Sequence, residues 1–299
     1  MKQRKEGKQM SNYSFIMSQG LFSHKDALTI PYEERAVQFG DGVYEVIRVY
    51  DGRPYLMKEH IDRLYRSLEA IKIDLTIDNP TLTQLLVDLL EKNNMTSDGH
   101  IYLQVSRGSA PRTHVFPEKT VPNIYAYVKD TPRHMDKLEN GVHTIILPDE
   151  RWDNCYIKSL NLLPNVLAKQ TAAENNCYEA ILHRDGVVTE CGSSNIFLVK
   201  DGKIYTHPTT NHILNGCVRM AVERFTTNLN IPFINEAFTI DDINDADEIF
   251  LTSSMSEVLP VVQVDGKQVA NGKPGTITRQ LQKAYNTDAQ IEGIKKAIS

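Results

Sequence analysis

Ile61, Leu64, Tyr65, Leu68 and Ile71 recur at steps of three and four residues, the spacing that gathers apolar side chains on one face of a helix. A second helix is predicted over 81–92. Ahead of them, residues 38–50 begin with Gln38, Phe39 and the Gly40-Asp-Gly42 turn. They continue into a β-branched and aromatic run that predicts a strand, and Asp51-Gly52 turns the chain back as a hairpin. Two more strands are predicted over 100–106 and 123–128. The stretch between them, 107–117, has loop composition but carries two arginines and a histidine.

The pattern changes after residue 130. Strands are predicted near 142–148, 155–160, 178–183, 187–190, 195–199, 203–206, 248–252 and 259–264, with helices over 164–176, 216–229 and 275–286. Asp-Gly pairs at 185–186, 201–202 and 265–266 mark hairpins. Strands dominate and helices interrupt them irregularly, which disfavours a doubly wound sheet and predicts an α+β fold. The length of 299 residues suits two domains at roughly 150 residues each. They are placed as a smaller N-terminal α/β domain over 1–130, a linker over 131–136 and a larger strand-rich domain over 137–299. Residues 1–12 are read as a mobile tail, because no apolar run follows their charges as a signal peptide requires.

Composition narrows the function. Hydrophobic residues at 41% and charged residues at 24% are ordinary for a globular chain. The net charge of −5 is spread along the sequence and gives no footprint for nucleic acid. No run of 18 apolar residues offers a membrane span, so a soluble, cytoplasmic protein is expected. Cys155, Cys177, Cys191 and Cys217 have neither zinc spacing nor a Cys-x-x-Cys pair, so no metal is expected.

The phosphate loop Gly-x-x-x-x-Gly-Lys and the Gly-x-Ser-x-Gly elbow are both absent from the sequence. Other residues carry the candidate chemistry. Lys158 stands in the mostly apolar run 155–163, where burial would favour the neutral, nucleophilic amine that condenses with a carbonyl. The plainer alternative is an edge-strand lysine reaching for water. Glu190 ends a strand and precedes a small-residue crossing, Cys191 to Asn195, that would let backbone approach a ligand. Leu214 to Arg219 enters a helix, and Leu251 to Glu257 clusters hydroxyls after a strand. Together they suit a phosphate; separately each is ordinary capping.

The combination resembles the fold type IV pyridoxal-phosphate enzymes, most closely the bacterial D-amino-acid aminotransferases, from about Phe15 to Tyr285. It rests on Phe39 to Val46, Glu59 to Leu64, Pro111-Arg-Thr-His114, Ile157 to Asn161, Tyr178 to Leu182, Thr189-Glu190, Ser193-Ser-Asn195 and Thr252-Ser-Ser254. The resemblance implies that Lys158 forms a Schiff base with pyridoxal phosphate and then shuttles the substrate's α-proton. Glu190 would keep the pyridine nitrogen protonated, so that the ring accepts electrons. Arg63, Ser253, Ser254 and the backbone at Cys217 and Val218 would hold the phosphate. Ser193, Ser194 and Leu214 would complete the cofactor's surroundings.

By the same resemblance, Tyr44 would line the substrate, with Arg112 and His114 of a neighbouring subunit holding the α-carboxylate in a homodimer. The implied reaction passes an amino group from a D-amino acid such as D-alanine to a 2-oxo acid such as 2-oxoglutarate, by a ping-pong cycle. The cofactor would lie between residues of the two halves. Cys191-Gly192 stands where Gly-Ser is familiar, and Gly-Cys-Val-Arg at 216–219 replaces Gly-Ile-Thr-Arg, removing one hydroxyl. Branched-chain L-amino-acid transaminases, (R)-amine transaminases and aminodeoxychorismate lyases share the lysine and glutamate and are the rival readings. A cofactor-binding protein without turnover is the reading from another class.

Overall fold

The structure is a computed structural model that describes residues 13–291, so the tail read at 1–12 lies outside the described residues. The chain divides between Pro132 and Arg133 into two compact units. The first contains β1 (Phe15–Ser18), β2 (Leu21–His24), α1 (Arg35–Phe39), β3 (Gly42–Tyr50), β4 (Arg53–Pro54), α2 (Met57–Ala70), α3 (Asn79–Lys92), β5 (Gly99–Ser106) and β6 (Asn123–Asp130). Its six strands form an antiparallel sheet in the order β2-β1-β6-β5-β3-β4.

Alternation along β3 sorts its side chains onto two faces. Val43, Glu45, Ile47 and Val49 are buried on one. Tyr44, Val46, Arg48 and Tyr50 lie on the other, level with Gln104, Tyr102 and His100 of β5. The predicted strand over 38–50 starts late because Phe39 ends α1 and Gly40 closes it at φ 67°, a left-handed cap that glycine takes without a Cβ clash.

The second unit contains α4 (Met135–Asn140), β7 (Val142–Pro148), α5 (Leu163–Glu174), β8 (Glu179–Arg184), β9 (Val187–Cys191), β10 (Asn195–Lys200), β11 (Lys203–Thr206), α6 (Cys217–Leu229), β12 (Phe233–Asn235), β13 (Glu248–Ser253), β14 (Glu257–Val264), β15 (Lys267–Gln268) and α7 (Thr276–Asp288). The sheet runs β12-β11-β10-β13-β14-β7-β8-β9, with β15 on β14. The β14–β7, β7–β8 and β11–β12 pairs are parallel and the others antiparallel. Ile181, Ile196, Leu198, Ile249, Leu251, Leu259 and Val261 build its main core. Helices between irregularly connected strands make the fold α+β.

The four Asp-Gly pairs at 51–52, 185–186, 201–202 and 265–266 connect adjacent strands with both residues at positive φ, as tight two-residue hairpins require, whereas Asp41-Gly42 and Asp98-Gly99 lead into β3 and β5. One expectation needs correction. Residues 155–160 are not a strand: turn bonds from Ile157 N to Asn154 O (3.1 Å) and Ser159 N to Ile157 O (2.8 Å) fold the segment tightly. The division between the units falls within 131–136, and the last two of those residues begin α4. Arg133 donates twice to Glu257, at 2.7 Å each, and once to Asn286 at 3.0 Å.

Candidate active site

Glu190 lies near the end of β9, a strand whose last four residues are all buried. Its carboxylate accepts from Arg151 Nη1 at 2.5 Å, from Asn195 Nδ2 at 2.9 Å and from the Leu214 backbone N–H at 3.2 and 3.3 Å. Burial pushes its pKa up, against the pull of Arg151. Arg151 is gripped from the other side by Asp149, with Nε and Nη2 each donating at 2.8 Å. The two carboxylates raise the guanidinium's pKa against the cost of its burial, so it stays charged. Burial likewise pushes Asp149 up, but hydrogen bonds from Arg151 and Thr189 outweigh it and hold that carboxyl down at about 2.

The loop that supplies Leu214 is fastened to the segment carrying the lysine. Arg151 Nη2 donates to His212 O at 3.2 Å, Tyr156 N to Asn211 O at 3.3 Å and Asn211 Nδ2 to Asp153 O at 2.6 Å. Lys158 is half-buried in the turn that follows. Asn195 Nδ2 also donates to Leu214 O at 2.8 Å, so one amide bridges Glu190 and the loop.

Gly216 then starts α6, and no side chain caps the helix. Its first backbone N–H groups, those of Cys217 and Val218 among them, have no partner within the helix. Both residues are buried. Thr252 pairs with Asn195 across β13 and β10, which puts the two side chains on one sheet face. Among the described residues the buried Thr252 hydroxyl has no hydrogen-bond partner. Ser253 and Ser254 follow it, half-buried, and Ser253 Oγ accepts from Ser256 N at 3.0 Å. Ser193 and Ser194 instead donate their hydroxyl protons to buried Glu179, at 2.5 and 3.3 Å, leaving their oxygen lone pairs as acceptors.

In the first unit, three groups of predicted residues lie apart. Arg63, on α2, makes a bidentate pair with Glu45 through Nε (2.8 Å) and Nη2 (2.7 Å), and His60 Nδ1 meets the same carboxylate at 2.6 Å. Burial of Glu45 would raise its pKa, yet the Arg63 guanidinium and the His60 ring beside it hold it far below the usual carboxylate range. Tyr44 points to the opposite face and stacks on Tyr102 with 6.0 Å between centroids. Arg112 and His114 are exposed on the 107–117 loop and flank the Phe39 ring, at 5.0 Å and 5.5 Å from its centroid. Arg35 packs on the same ring at 4.8 Å and donates to Thr113 O at 2.7 Å.

Sequence reading missed Arg151, Asp149, Glu179 and Glu45, which set the charge and orientation of residues it found. The one available signal was the charge cluster 149–153 at the end of a predicted strand. Among the described residues no cluster of His, Cys, Asp and Glu could hold a metal ion, the four cysteines are free thiols, and no helix is long and apolar enough to cross a membrane.

The sequence matches the amino-transferase class IV family over residues 42–264, and the chain belongs to that family. The D-alanine aminotransferase of Staphylococcus epidermidis is 45% identical over 280 residues, covering 93% of this chain and 99% of that protein. The D-alanine aminotransferase of Bacillus licheniformis is 42% identical over 280 residues, covering 94% and 99%. Among solved structures, the branched-chain amino acid aminotransferase of Escherichia coli shares the fold with a TM-score of 0.86 at 24% identity, over 92% of this chain and 94% of that one. That of Thermoproteus uzoniensis, solved with norvaline, does so with a TM-score of 0.85 at 22% identity, over 94% and 96%.

Proposed function

We propose that the protein is a pyridoxal-phosphate transaminase that moves an amino group between a D-amino acid, such as D-alanine, and a 2-oxo acid, such as 2-oxoglutarate. The observation that carries this reading is the buried Glu190 carboxylate, kept in place by Arg151, Asn195 and Leu214 N. The D-alanine aminotransferases, at 42–45% identity over nearly their whole length, support the choice of substrate.

The residues present fit the cofactor. An uncapped helix N-terminus at Cys217 and Val218 and an orphaned Thr252 hydroxyl are donors suited to a phosphate, with Ser253 and Ser254 beside them. Arg63 adds a cation in the first unit. Glu190 would accept a hydrogen bond from a protonated ring nitrogen, and Leu214 N and Asn195 hold its carboxylate in place. Ser193 and Ser194, bonded to Glu179, serve as acceptors at its border. Pyridoxal phosphate supplies a conjugated ring that delocalises the electrons released at the substrate α-carbon.

Lys158 would supply the amine that holds the cofactor carbonyl and would move the proton at the substrate α-carbon. Tyr44 lines the substrate. The Arg112 guanidinium suits a planar carboxylate in a bidentate pair, and His114 adds a donor.

We read the working unit as a homodimer in which Arg112 and His114 serve a neighbouring subunit. Tyr32, Val37, Val115, Phe116 and Val121 expose half or more of their surface near that loop. Leu163, Val166 and Leu167 do so along one stripe of α5, and such apolar exposure suits a partner chain. A cytoplasmic location goes with this reading.

Incubation of the holoenzyme with 2-oxoglutarate and either D-alanine or L-leucine tests the function. Pyruvate and D-glutamate should form from D-alanine. Turnover of L-leucine in the absence of D-alanine turnover would assign the protein to the branched-chain reaction instead.

A further inference from the structure

Arg48 and Arg219 stand apart among the buried cations, and of the two Arg219 still donates through Nη1 to Asn215 Oδ1 and through Nη2 to His207 O and Asn235 Oδ1, with Nε alone unmet among the described residues. Arg35, Arg63, Arg107 and Arg151 each have a carboxylate within 3 Å: Asp41 for the first and third, Glu45 for the second, and Asp149 and Glu190 for the last. Arg48 is 1% exposed, and its Nε and Nη2 have no hydrogen-bond partner among the described residues. Its guanidinium lies over the Tyr50 ring, 4.9 Å from the centroid, a contact that attracts the charge but accepts none of its N–H groups.

The face on which Arg48 stands is built for an anion. The residues of β3, β5 and β6 on that face include Tyr44, Tyr102, His100 and Lys129 and no acid. His100, opposite Arg48, has its pKa pushed down to about 4 by burial and by the positive charges of Lys129 and Arg48. The buried Glu34 carboxylate meets this face only at its other end, on Ser106 and Asn123, so the strands supply Arg48 no acid, and a desolvated guanidinium with unmet donors is costly unless a carboxylate comes to it.

Tyr44, the residue assigned to the substrate, projects from the same strand and face, with Val46 alone between the two positions. The geometry points to Arg48 as the binding group for the second, side-chain carboxylate of a dicarboxylic substrate, D-glutamate or 2-oxoglutarate. This rests on the transaminase reading above and extends it, since it names the residue that separates acidic from neutral substrates.

The test compares kcat/KM for D-glutamate with that for D-alanine in the wild-type holoenzyme, Arg48→Met and Arg48→Lys. In Arg48→Met the ratio should fall about tenfold or more, the effect of losing a charge-assisted hydrogen bond. Arg48→Lys keeps the charge but loses the paired N–H edge, so its ratio should fall by a smaller factor. A ratio equal to wild type in both variants overturns the assignment, as does a matching loss for both substrates.

A second measurement needs no turnover. Glutarate should raise the melting temperature of the wild-type protein more than butyrate does, and Arg48→Met or Arg48→Lys should abolish or reduce that difference. Equal shifts by the two acids in wild type count against the site. A wild-type protein that turns over neither D-amino acid but responds to glutarate sinks the transaminase reading while keeping the carboxylate site.

Discussion

Arg151 and Glu190 form a buried ion pair at 2.5 Å, and Asp149 holds the same guanidinium by two further bonds. Arg151 therefore counters the burial that raises the Glu190 pKa and, with Asn195 and the Leu214 N–H, fixes the direction of its carboxylate. Removing one partner of a buried pair leaves an uncompensated charge and costs roughly 3–5 kcal/mol. Arg151→Met is expected to lose stability of that order in urea unfolding and to bind pyridoxal phosphate more weakly in a fluorescence titration. Cofactor affinity equal to wild type would show that Glu190 does not depend on Arg151.

Lys158→Ala should fold with wild-type circular dichroism, lack the visible absorbance of covalently held pyridoxal phosphate, and show no turnover of D-alanine. A yellow, active variant would remove Lys158 from the chemistry.

Arg112→Ala should raise KM for D-alanine about tenfold or more, since a bidentate bond to a carboxylate is lost. Arg112 is exposed and stacks only on Phe39, so its removal should leave the melting temperature within a degree or two. Steady-state kinetics and a thermal melt on the same preparation separate the two effects. An unchanged KM excludes the carboxylate role.

His100 supplies a pH signature. Burial, with Lys129 and Arg48, lowers its pKa from 6.5 to about 4. The unfolded chain takes up a proton below 6.5 and the folded one does not until about 4, so this stability is full above pH 6.5 and falls as pH drops toward 4. The change amounts to at most about 3 kcal/mol. Urea unfolding at pH 7.0, 5.5 and 4.5 should show the decline, and His100→Gln, which has no proton to gain, should flatten that part of it.

What the sequence revealed was local. Four of the Asp-Gly pairs give hairpins because two residues at positive φ decide the turn by themselves, and α2 and α3 follow from apolar spacing within a few residues. The β1–β2 hairpin escaped because Gln19, at φ 52°, carries no turn signature. Residues 155–160 have strand composition but are held by backbone bonds to Asn154 and Asn211, contacts that composition does not encode. Lys158 and Glu190 were found through motifs. Arg151, Glu179 and Glu45 were not, because each acts through a partner distant in sequence, and Asp149 was not, because its role rests on the neighbouring Arg151 whose own target, Glu190, only folding brings to it. Arg48 was hidden differently: in the sequence it is one polar position in a strand, and its isolation exists only where burial and missing partners are both visible.

A Cβ on Gly216 would lie 2.2 Å from Asn195 Oδ1, while the Asn195 amide is already committed to Glu190 and Leu214. The smallest residue at the start of α6 therefore governs the aim of a carboxylate on another strand. Any side chain at 216 would be felt first as a rotation of Asn195, and then as a change in the proton affinity of Glu190. Position 216 is thus confined to glycine by a side chain on another element, and a screen of single substitutions would find it intolerant for a reason that resides in Asn195.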